Sequence, residues 1–350
     1  MIETITEKIE WKNAIRSLAY FDFYHTYSYH ELSKKNDESP ILLKYSEGKN
    51  HIFLPLLLRP ITGTPYSDAT SVYGYAGPIC TGTVKQFDLL NFKKELETFC
   101  VKNKIITIFS RLHPYIELQD EILNTIGEIT IRGEVVNIDL TLTPDIQRQG
   151  YGSRLKTYLN KARKLCTVYQ GTTETDIQHF IKLYYENMSR VNANASYFFD
   201  ERYFYKFMLS SDFETDLLLC KLNETNEVIG GALFIKTGDI VQYHLSGSDA
   251  NHLHLGAIKL IIDEMRIRAT AQNYRYFNLG GGKSNKEDSL FSFKTSFSKH
   301  LRPFKLWKYI VDQEVYDSLV ARELNRVDRV LTESELNYFP AYRILTQINQ

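Results

Sequence analysis

The chain has 350 residues, 43% of them hydrophobic and 24% charged, so it is long enough for two cores and has the composition of a globular protein. Its 42 basic and 42 acidic side chains give a formal net charge of zero, which argues against a nucleic-acid scaffold but leaves room for one local basic groove. The four cysteines lack C-x-x-C spacing and are expected to be free buried thiols in a reducing compartment.

The first half of the chain is predicted to alternate helices and strands. Residues 10–19 form a helix, residues 41–45 and 51–58 a strand hairpin, and residues 68–78 a loop rich in glycine and tyrosine. A second helix covers residues 87–103, because Phe92, Leu96 and Cys100 fall on one helical face. Two strands follow, at 105–109 and 135–140.

The same order of elements returns in the second half. Helices are predicted at 155–165 and 175–190, a hairpin at 216–222 and 228–236, a strand at 240–246, a helix at 254–271 and a strand at 276–279. A short helix at 289–297 and a strand at 304–311 complete the series. This repetition predicts a duplicated α/β domain with mixed sheets, in three parts: residues 1–145, residues 146–315, and a helical segment at 316–350 that packs back on the first domain.

Two glycine-rich strings could bind phosphate. Gly280, Gly281 and Gly282 precede Lys283, but Phe277 stands where a P-loop needs its first glycine, and Asn285 breaks a dinucleotide fingerprint. What remains is a turn whose backbone N–H groups could hold an anion. Residues 147–152 fit Q/R-x-x-G-x-G/A, the pyrophosphate loop of acetyltransferases that use coenzyme A, and the helix that follows would supply N–H groups.

A basic cluster follows this second string and has two interpretations. It is either a solvated helix or a cradle for a diphosphate or a nucleic-acid backbone. Its members are Arg148, Arg154, Lys156, Lys161, Arg163 and Lys164. No metal site is expected, because His252 and His254 have no carboxylate or cysteine at ligand spacing.

The run 241–299 concentrates the polar features. A strand enters a polar turn, Gly256 lies in the first turn of the next helix, and a glycine turn then leads to a lysine beside aromatic rings. Such features are expected to converge at one edge of a sheet, where open α/β folds bind ligands.

At this point the sequence resembles a known family. Residues 276–282 (YFNLGGG) and 288–298 (DSLFSFKTSFS) resemble the C-terminal signature of the FemABX-like branch of the GNAT superfamily of acyltransferases. Residues 73–78 (YGYAGP), 110–114 (SRLHP), 184–188 (YYENM) and 197–199 (YFF) agree in the same order, so the likeness covers roughly residues 40–310.

The resemblance implies two GNAT-like domains with a cleft between them and transfer of an acyl or aminoacyl group to an amine. By position it implies catalytic roles for Phe293 and Lys294, with Lys294 stabilising the oxyanion or the leaving group, and His244 is the neighbouring candidate base. It places the donor beside Tyr243, Ser246, Gly256, Gly280, Gly281 and Gly282. It places the acceptor beside Tyr73, Gly74, Tyr75, Arg111, His113 and Tyr197.

The resemblance leaves the donor and the acceptor open. The sequence shows no heptad pair for the coiled-coil arm that members using tRNA to build peptidoglycan bridges often carry, and members without this arm acylate other amines, including amino sugars of surface glycans. The donor is acyl-CoA or aminoacyl-tRNA, with no permanently bound cofactor. The acceptor is an amine of a cell-wall or surface-glycan precursor, such as a nucleotide- or lipid-linked amino sugar or peptide. Two alternatives stay open: an acetyl-CoA-dependent N-acetyltransferase that uses residues 147–152, and a non-catalytic glycan- or peptide-binding protein.

The location is predicted from two absences. The N-terminus has no basic start followed by an apolar stretch, and the longest apolar run, residues 52–58, is too short to span a bilayer. A cytoplasmic protein is expected. Contact with the inner face of the membrane stays an open alternative, because some acceptors are lipid-linked.

Overall fold

The computed structural model describes residues 1–283, 288–326 and 338–344. The strands are β1 (Ile2–Ile5), β2 (Ser39–Glu47), β3 (Asn50–Pro60), β4 (Ser67–Thr70), β5 (Ile79–Cys80), β6 (Ile105–Arg111), β7 (Glu128–Asp139), β8 (Cys166–Gln170), β9 (Glu214–Leu222), β10 (Val228–Thr237), β11 (Ile240–Ser248), β12 (Tyr276–Gly280) and β13 (His300–Ile310). The α-helices are α1 (Lys8–Arg16), α2 (Tyr27–Ser33), α3 (Leu89–Lys102), α4 (Leu118–Leu123), α5 (Pro144–Gln149), α6 (Ser153–Leu165), α7 (Glu174–Arg190), α8 (Glu201–Met208), α9 (Ala257–Ala271), α10 (Ser289–Thr295) and α11 (Gln313–Leu324).

The chain forms two compact units. One consists of Met1–Arg132 and Phe304–Gln350, the other of Gly133–Pro303. The chain passes from the first unit to the second within β7 and returns within β13. The limits predicted from the sequence, after residues 145 and 315, lie downstream of both crossings, because a crossing inside a strand has no linker composition to mark it.

The first unit is built on an antiparallel hairpin and a crossover helix. Strands β1, β2, β3 and β4 pair antiparallel in that order, and β6 pairs parallel with β4 after the chain has crossed through α3. Asp88 caps α3 by accepting hydrogen bonds from the N–H groups of Leu90 and Asn91. The predicted apolar face of this helix is confirmed, since Phe92, Leu96 and Cys100 are its buried residues.

The second unit repeats this plan. Strands β8, β9, β10 and β11 pair antiparallel in that order, and β12 pairs parallel with β11 after α9. Helices α7 and α9 cover opposite faces of the sheet. A Cβ on Gly230 would meet Ala257 of α9 at 2.7 Å, whereas one on the next residue, Gly231, would meet Phe180 of α7 at 2.9 Å.

Apart from the two-residue strand β5 of the first unit, both units contain the same series: a strand, two helices, three antiparallel strands, a helix, and a strand parallel to the last of those three. The predicted α/β fold class, with mixed sheets in two successive copies, is confirmed. Several short elements were not predicted from the sequence, among them α2, α8 and β8. Strand β4 (Ser67–Thr70) overlaps the start of the predicted loop at 68–78, because four residues are too few to show strand periodicity.

The C-terminal region packs within the first unit. Leu319 of α11 and Tyr342 share a core cluster with Ile61 and Ile106, and the Tyr342 hydroxyl lies 2.8 Å from the hydroxyl of Thr107. Residues 327–337 and 345–350 of the predicted C-terminal segment lie outside the described residues. The four cysteines are free and buried, as expected. Within the described ranges, none of the helices is both long and apolar enough to cross a bilayer.

Candidate functional site

The second unit has an opening between its two parallel strands. Strands β11 and β12 pair only from Ile240 to Gln242 and from Tyr276 to Asn278, and β11 then continues to Ser248 paired with β10 but not with β12. The buried side chains of Gln242 and Asn278 close the pairing with an amide hydrogen bond of 2.8 Å, and Asn278 also accepts the N–H of Gly280 at 2.9 Å. The strands thus separate at a fixed point, and the glycine turn begins there.

Strand β11 has a bulge at this opening. Its register with β10 shifts between the pairs Leu233–Leu245 and Phe234–Tyr243, so that His244 is the extra residue. Across the bulge, the Tyr243 hydroxyl lies 2.5 Å from the Ser246 hydroxyl, and burial raises the pKa of Tyr243 to about 12. Tyr243 is therefore a neutral hydrogen-bonding group at neutral pH.

Helix α10 brings Lys294 to the same opening. Asp288 caps this helix by accepting the N–H of Phe291 at 2.8 Å and also accepts the N–H of Lys283 at 2.9 Å. The Lys294 side chain is buried, with the residue 8% exposed, and its ammonium donates to the carbonyl of Gly281 at 2.7 Å. The same ammonium lies 6.0 Å from the centre of the Tyr243 ring. Lys294, Tyr243 and the glycine turn are therefore neighbours, as the resemblance implied.

Burial alters the protonation of Lys294. It lowers the pKa of the ammonium to about 8, while the nearby charge of Asp288 acts in the opposite direction. The side chain is still mostly protonated at pH 7. An ammonium has three N–H donors, and the bond to Gly281 is the one that Lys294 makes within the described residues, so donors remain for an incoming oxygen.

His244 does not fit the role of a general base. Its ring stacks on Phe207 with centres 4.8 Å apart, and its Nε2 lies 3.2 Å from the Tyr203 hydroxyl. Burial lowers the pKa of His244 to about 3, so the neutral ring has little affinity for a proton at neutral pH. The prediction from the sequence assumed an ordinary imidazole and could not foresee the rings that surround it.

The start of α9 differs from the predicted one. A 3-10 turn, Ala250–Leu255, comes first and is capped by Asp249, and α9 begins only at Ala257. Gly256 is the N-cap residue, with a left-handed φ of 68° that favours glycine. Leu253 lies in this 3-10 turn and is 43% exposed.

Among the predicted acceptor residues, the first unit has an exposed ring beside a half-buried cation. Tyr73 is 63% exposed, and the Arg111 guanidinium lies 5.4 Å from the centre of its ring. The loop that contains Tyr73 is fixed by a hydrogen bond, because the Tyr29 hydroxyl donates to the carbonyl of Tyr73 at 2.9 Å. Tyr75 is half-buried edge-on against Tyr24, and Gly74 is buried.

His113 is not available to an acceptor. It is buried, its Nε2 lies 2.9 Å from a carboxylate oxygen of Asp22, and its Nδ1 accepts the N–H of Tyr115 at 3.2 Å. With both ring nitrogens occupied, His113 supports its loop. Tyr197 belongs to the second unit, in the loop between α7 and α8, and is 38% exposed.

The Gln147–Gly152 string is not a phosphate loop. Thr143 and Pro144 begin helix α5, and the N–H groups of Gln147, Gly150, Tyr151 and Gly152 all donate to backbone carbonyls. The Gln147 side chain bonds to the carbonyl of Leu142, to Thr270 and to Arg266. None of these four N–H groups is free for a pyrophosphate, so the string itself does not form the loop that the acetyl-CoA alternative requires.

The sequence missed two residues beside the opening, Lys259 and Tyr158. The Lys259 ammonium lies 5.5 Å from the centre of the Phe293 ring and 4.8 Å from that of Tyr158. Nothing in a single sequence connects positions so far apart. Within the described residues no group of histidine, cysteine, aspartate and glutamate side chains is placed to hold a metal ion.

The chain is similar to a known family in sequence and to solved structures in fold. The sequence model of the FemAB family matches residues 215–304, a range that includes Tyr243, Phe293 and Lys294. The structure is similar to FemX, with a TM-score of 0.71 and 13% identity over 90% of this chain and 99% of that one. No curated protein matches the chain in sequence.

Two further solved structures have the same fold. One is a conserved protein of unknown function from Bacteroides thetaiotaomicron, with a TM-score of 0.61 and 13% identity over 89% of this chain and all of that one. The other is the C-terminal domain of a putative lysylphosphatidylglycerol synthetase from Agrobacterium fabrum, with a TM-score of 0.55 and 14% identity over 93% of this chain and all of that one. The resemblance to FemABX-like proteins found in the sequence is confirmed.

Proposed function

We propose that this chain, a FemABX-like protein of the GNAT fold, transfers an acyl or aminoacyl group from a thioester or ester donor to an amine. The observation that carries the proposal is the buried, mostly protonated Lys294 at the opening between β11 and β12. The family match over residues 215–304 supports the same reaction class. The acceptor would be an amine of a cell-wall, lipid or surface-glycan precursor.

The reaction needs one nucleophile and one stabilised anion. The amine nitrogen attacks the carbonyl carbon, a C–N bond forms, and the carbonyl oxygen becomes an oxyanion that accepts a hydrogen bond from the Lys294 ammonium. The C–S or C–O bond to the carrier then breaks. The amine proton leaves to the departing thiolate or alkoxide, or to water, so His244 is not required.

The donor is proposed to lie along the opening itself. Tyr243 and Ser246 border it on β11, Gly256 precedes α9, and the turn Gly280, Gly281 and Gly282 closes it beside Lys294. Phe293 packs edge-on against Phe297 at 5.6 Å, which holds the adjacent Lys294 backbone in place. The carrier is acyl-CoA or aminoacyl-tRNA, and neither requires a resident metal.

A labelling experiment tests the reaction class. The protein is incubated with cell-wall and glycan precursors extracted from its source organism, together with radiolabelled acetyl-CoA or charged tRNA. Label is expected in an alkali-stable amide, and it should depend on the protein. If the protein labels no amine with either donor while it binds an extracted glycan or peptide, the non-catalytic alternative is correct.

The acceptor patch of the first unit gives a separate prediction. Tyr73→Ala is expected to raise the KM for the acceptor about tenfold and to leave kcat within about twofold, since the ring and Arg111 would bind the acceptor without touching the reacting atoms. Tyr20→Ala is the control, because Tyr20 is also exposed, at 62%. A fall in kcat at unchanged KM would argue against an acceptor-binding role.

A further inference from the structure

Helix α6 presents a basic stripe to solvent. Arg154, Thr157, Tyr158 and Lys161 recur at intervals of three and four residues, so they share one helical face, and all four are exposed. Together with Ser153 they line an open depression of about 390 Å³. The opposite face of the helix is buried in the core of the second unit, and the helix has no acidic residue.

The structure divides the basic cluster found in the sequence. Arg163 is bound by the buried carboxylate of Asp263 at 2.5 Å, Arg148 lies 3.7 Å from that carboxylate, and Lys156 donates to the carbonyl of Gln149. Arg154 and Lys161 form no hydrogen bond or ion pair within the described ranges of the chain. Lys156 and Lys164 also have no carboxylate partner among the described residues, but only Arg154 and Lys161 of the cluster line the depression.

Lys259 connects this depression to the candidate active site. Its ammonium faces the rings of Tyr158 and Phe293 at 4.8 and 5.5 Å. Lys259 is half-buried, and no carboxylate within the described part of the chain pairs with it. Contact with aromatic faces recovers only part of the hydration energy that a half-buried cation loses. An anion bound beside Lys259 would therefore be stabilised by its positive charge. Burial also lowers the pKa of Lys259, as expected for a cation without a partner.

The contacts form a continuous series within the second unit. Lys294 is adjacent in sequence to Phe293, the Phe293 ring faces Lys259, and Lys259 faces Tyr158 on the α6 stripe. A donor whose carbonyl reached Lys294 would therefore extend its carrier past Lys259 toward Lys161. The volume of the depression falls within the range of about 300–1,000 Å³ for small-ligand sites.

We propose that Lys259, Tyr158, Arg154 and Lys161 bind the phosphate and base of the nucleotide on the acyl donor. The inference rests on the proposed acyl transfer and names the part of the donor that this surface holds. Phosphate oxygens would accept hydrogen bonds from Lys259, Arg154 and Lys161, and the adenine ring would stack on Tyr158. Coenzyme A and the 3′ end of a charged tRNA share this chemistry, because both present an adenosine with phosphate groups.

Equilibrium binding of two unreactive probes tests the proposal. The probes are coenzyme A with a free thiol and a deacylated RNA minihelix that ends in CCA, each titrated by calorimetry. Lys259→Gln and Lys161→Glu are expected to weaken the probe that binds about tenfold or more. Each variant should also reduce the slope of log affinity against log salt concentration by about the amount expected for one lost phosphate contact.

The control is Lys206→Glu, the same change of charge at an exposed lysine on α8. This control is expected to leave the affinity for the probe within about twofold. A non-specific effect of net charge would weaken binding equally in Lys206→Glu and Lys161→Glu. The unfolding midpoint of each variant shows that it is folded. The probe that responds identifies the carrier.

Two results would overturn the proposal: both variants bind the probes as tightly as the wild type, or neither probe binds at millimolar concentration. These outcomes are independent of the proposed acyl transfer, which is judged by turnover of Lys294→Ala. If Lys294→Ala keeps full turnover while probe binding still depends on Lys259, the catalytic role of Lys294 is contradicted and the nucleotide site is not. Loss of turnover in Lys294→Ala with no effect of Lys259 on binding would sink the nucleotide site alone.

Discussion

Replacing Lys294 with alanine is expected to lower kcat about 10²–10³-fold, which is the usual cost of removing one oxyanion donor. The ammonium is buried, is held by Gly281 at 2.7 Å and keeps donors for a second acceptor, so its loss leaves the developing charge in a site with little water. Initial rates with the labelled donor measure the effect. KM for the donor should change much less, because Lys294 acts on charge that exists only in the transition state.

The pH dependence separates this role from a structural one. The pKa of Lys294 is about 8, so activity that needs its protonated form should fall as pH rises above about 8, and the acid limb belongs to the acceptor amine. Lys294→Arg keeps its charge throughout this range and should lack the alkaline limb, even if its rate is lower. Lys294→Met, with a similar shape and no charge, is the control for folding. Wild-type rates from Lys294→Met with an unchanged unfolding midpoint would contradict the assignment.

Much of the fold could be predicted from the sequence, because the main elements have strong local periodicity. The face of α3 with Phe92, Leu96 and Cys100 is an example, and the repeated order of elements followed from such segments. The crossings inside β7 and β13 could not be predicted, since a strand that changes units looks like any other strand. Helix α5 does have a local sequence signal, since a threonine before a proline, here Thr143 and Pro144, is a common helix start. This helix was not predicted from the sequence.

The site was less predictable, because its chemistry depends on burial. Lys294 and Phe293 were found through a sequence signature, and Asp288 could have been recognised as a cap three residues before Phe291. His244 was misjudged because Phe207, which stacks on it, lies 37 positions earlier in the chain, a gap that no local pattern spans. The contact of Lys259 with Tyr158 and Phe293 is of the same kind.

The buried carboxylate of Asp263 carries the second large prediction. It accepts the Tyr151 hydroxyl at 2.8 Å, Arg266 at 2.9 Å and Arg163 at 2.5 Å, and its side chain is fully buried. Burial alone would raise the pKa of Asp263, but Arg266 and the hydrogen bonds from Tyr151 and Arg163 outweigh it, so the pKa is lowered. The carboxylate is therefore charged at neutral pH and neutralises a buried guanidinium.

Asp263→Ala is expected to lower the free energy of unfolding by about 3–5 kcal/mol, because it leaves Arg266 buried without a counter-charge and the Tyr151 hydroxyl without its acceptor. Urea unfolding at pH 7 measures the loss. A carboxylate with a depressed pKa stabilises the fold above its unfolded pKa, so the gap between variant and wild type should narrow as pH falls below about 4. Asp239→Ala is the matched control, since Asp239 pairs with Arg275 at 3.6 Å while 43% exposed, and a loss of less than about 1 kcal/mol is expected there. Equal losses from the two variants would mean that the network around Asp263 does not hold α5, α6 and α9 together.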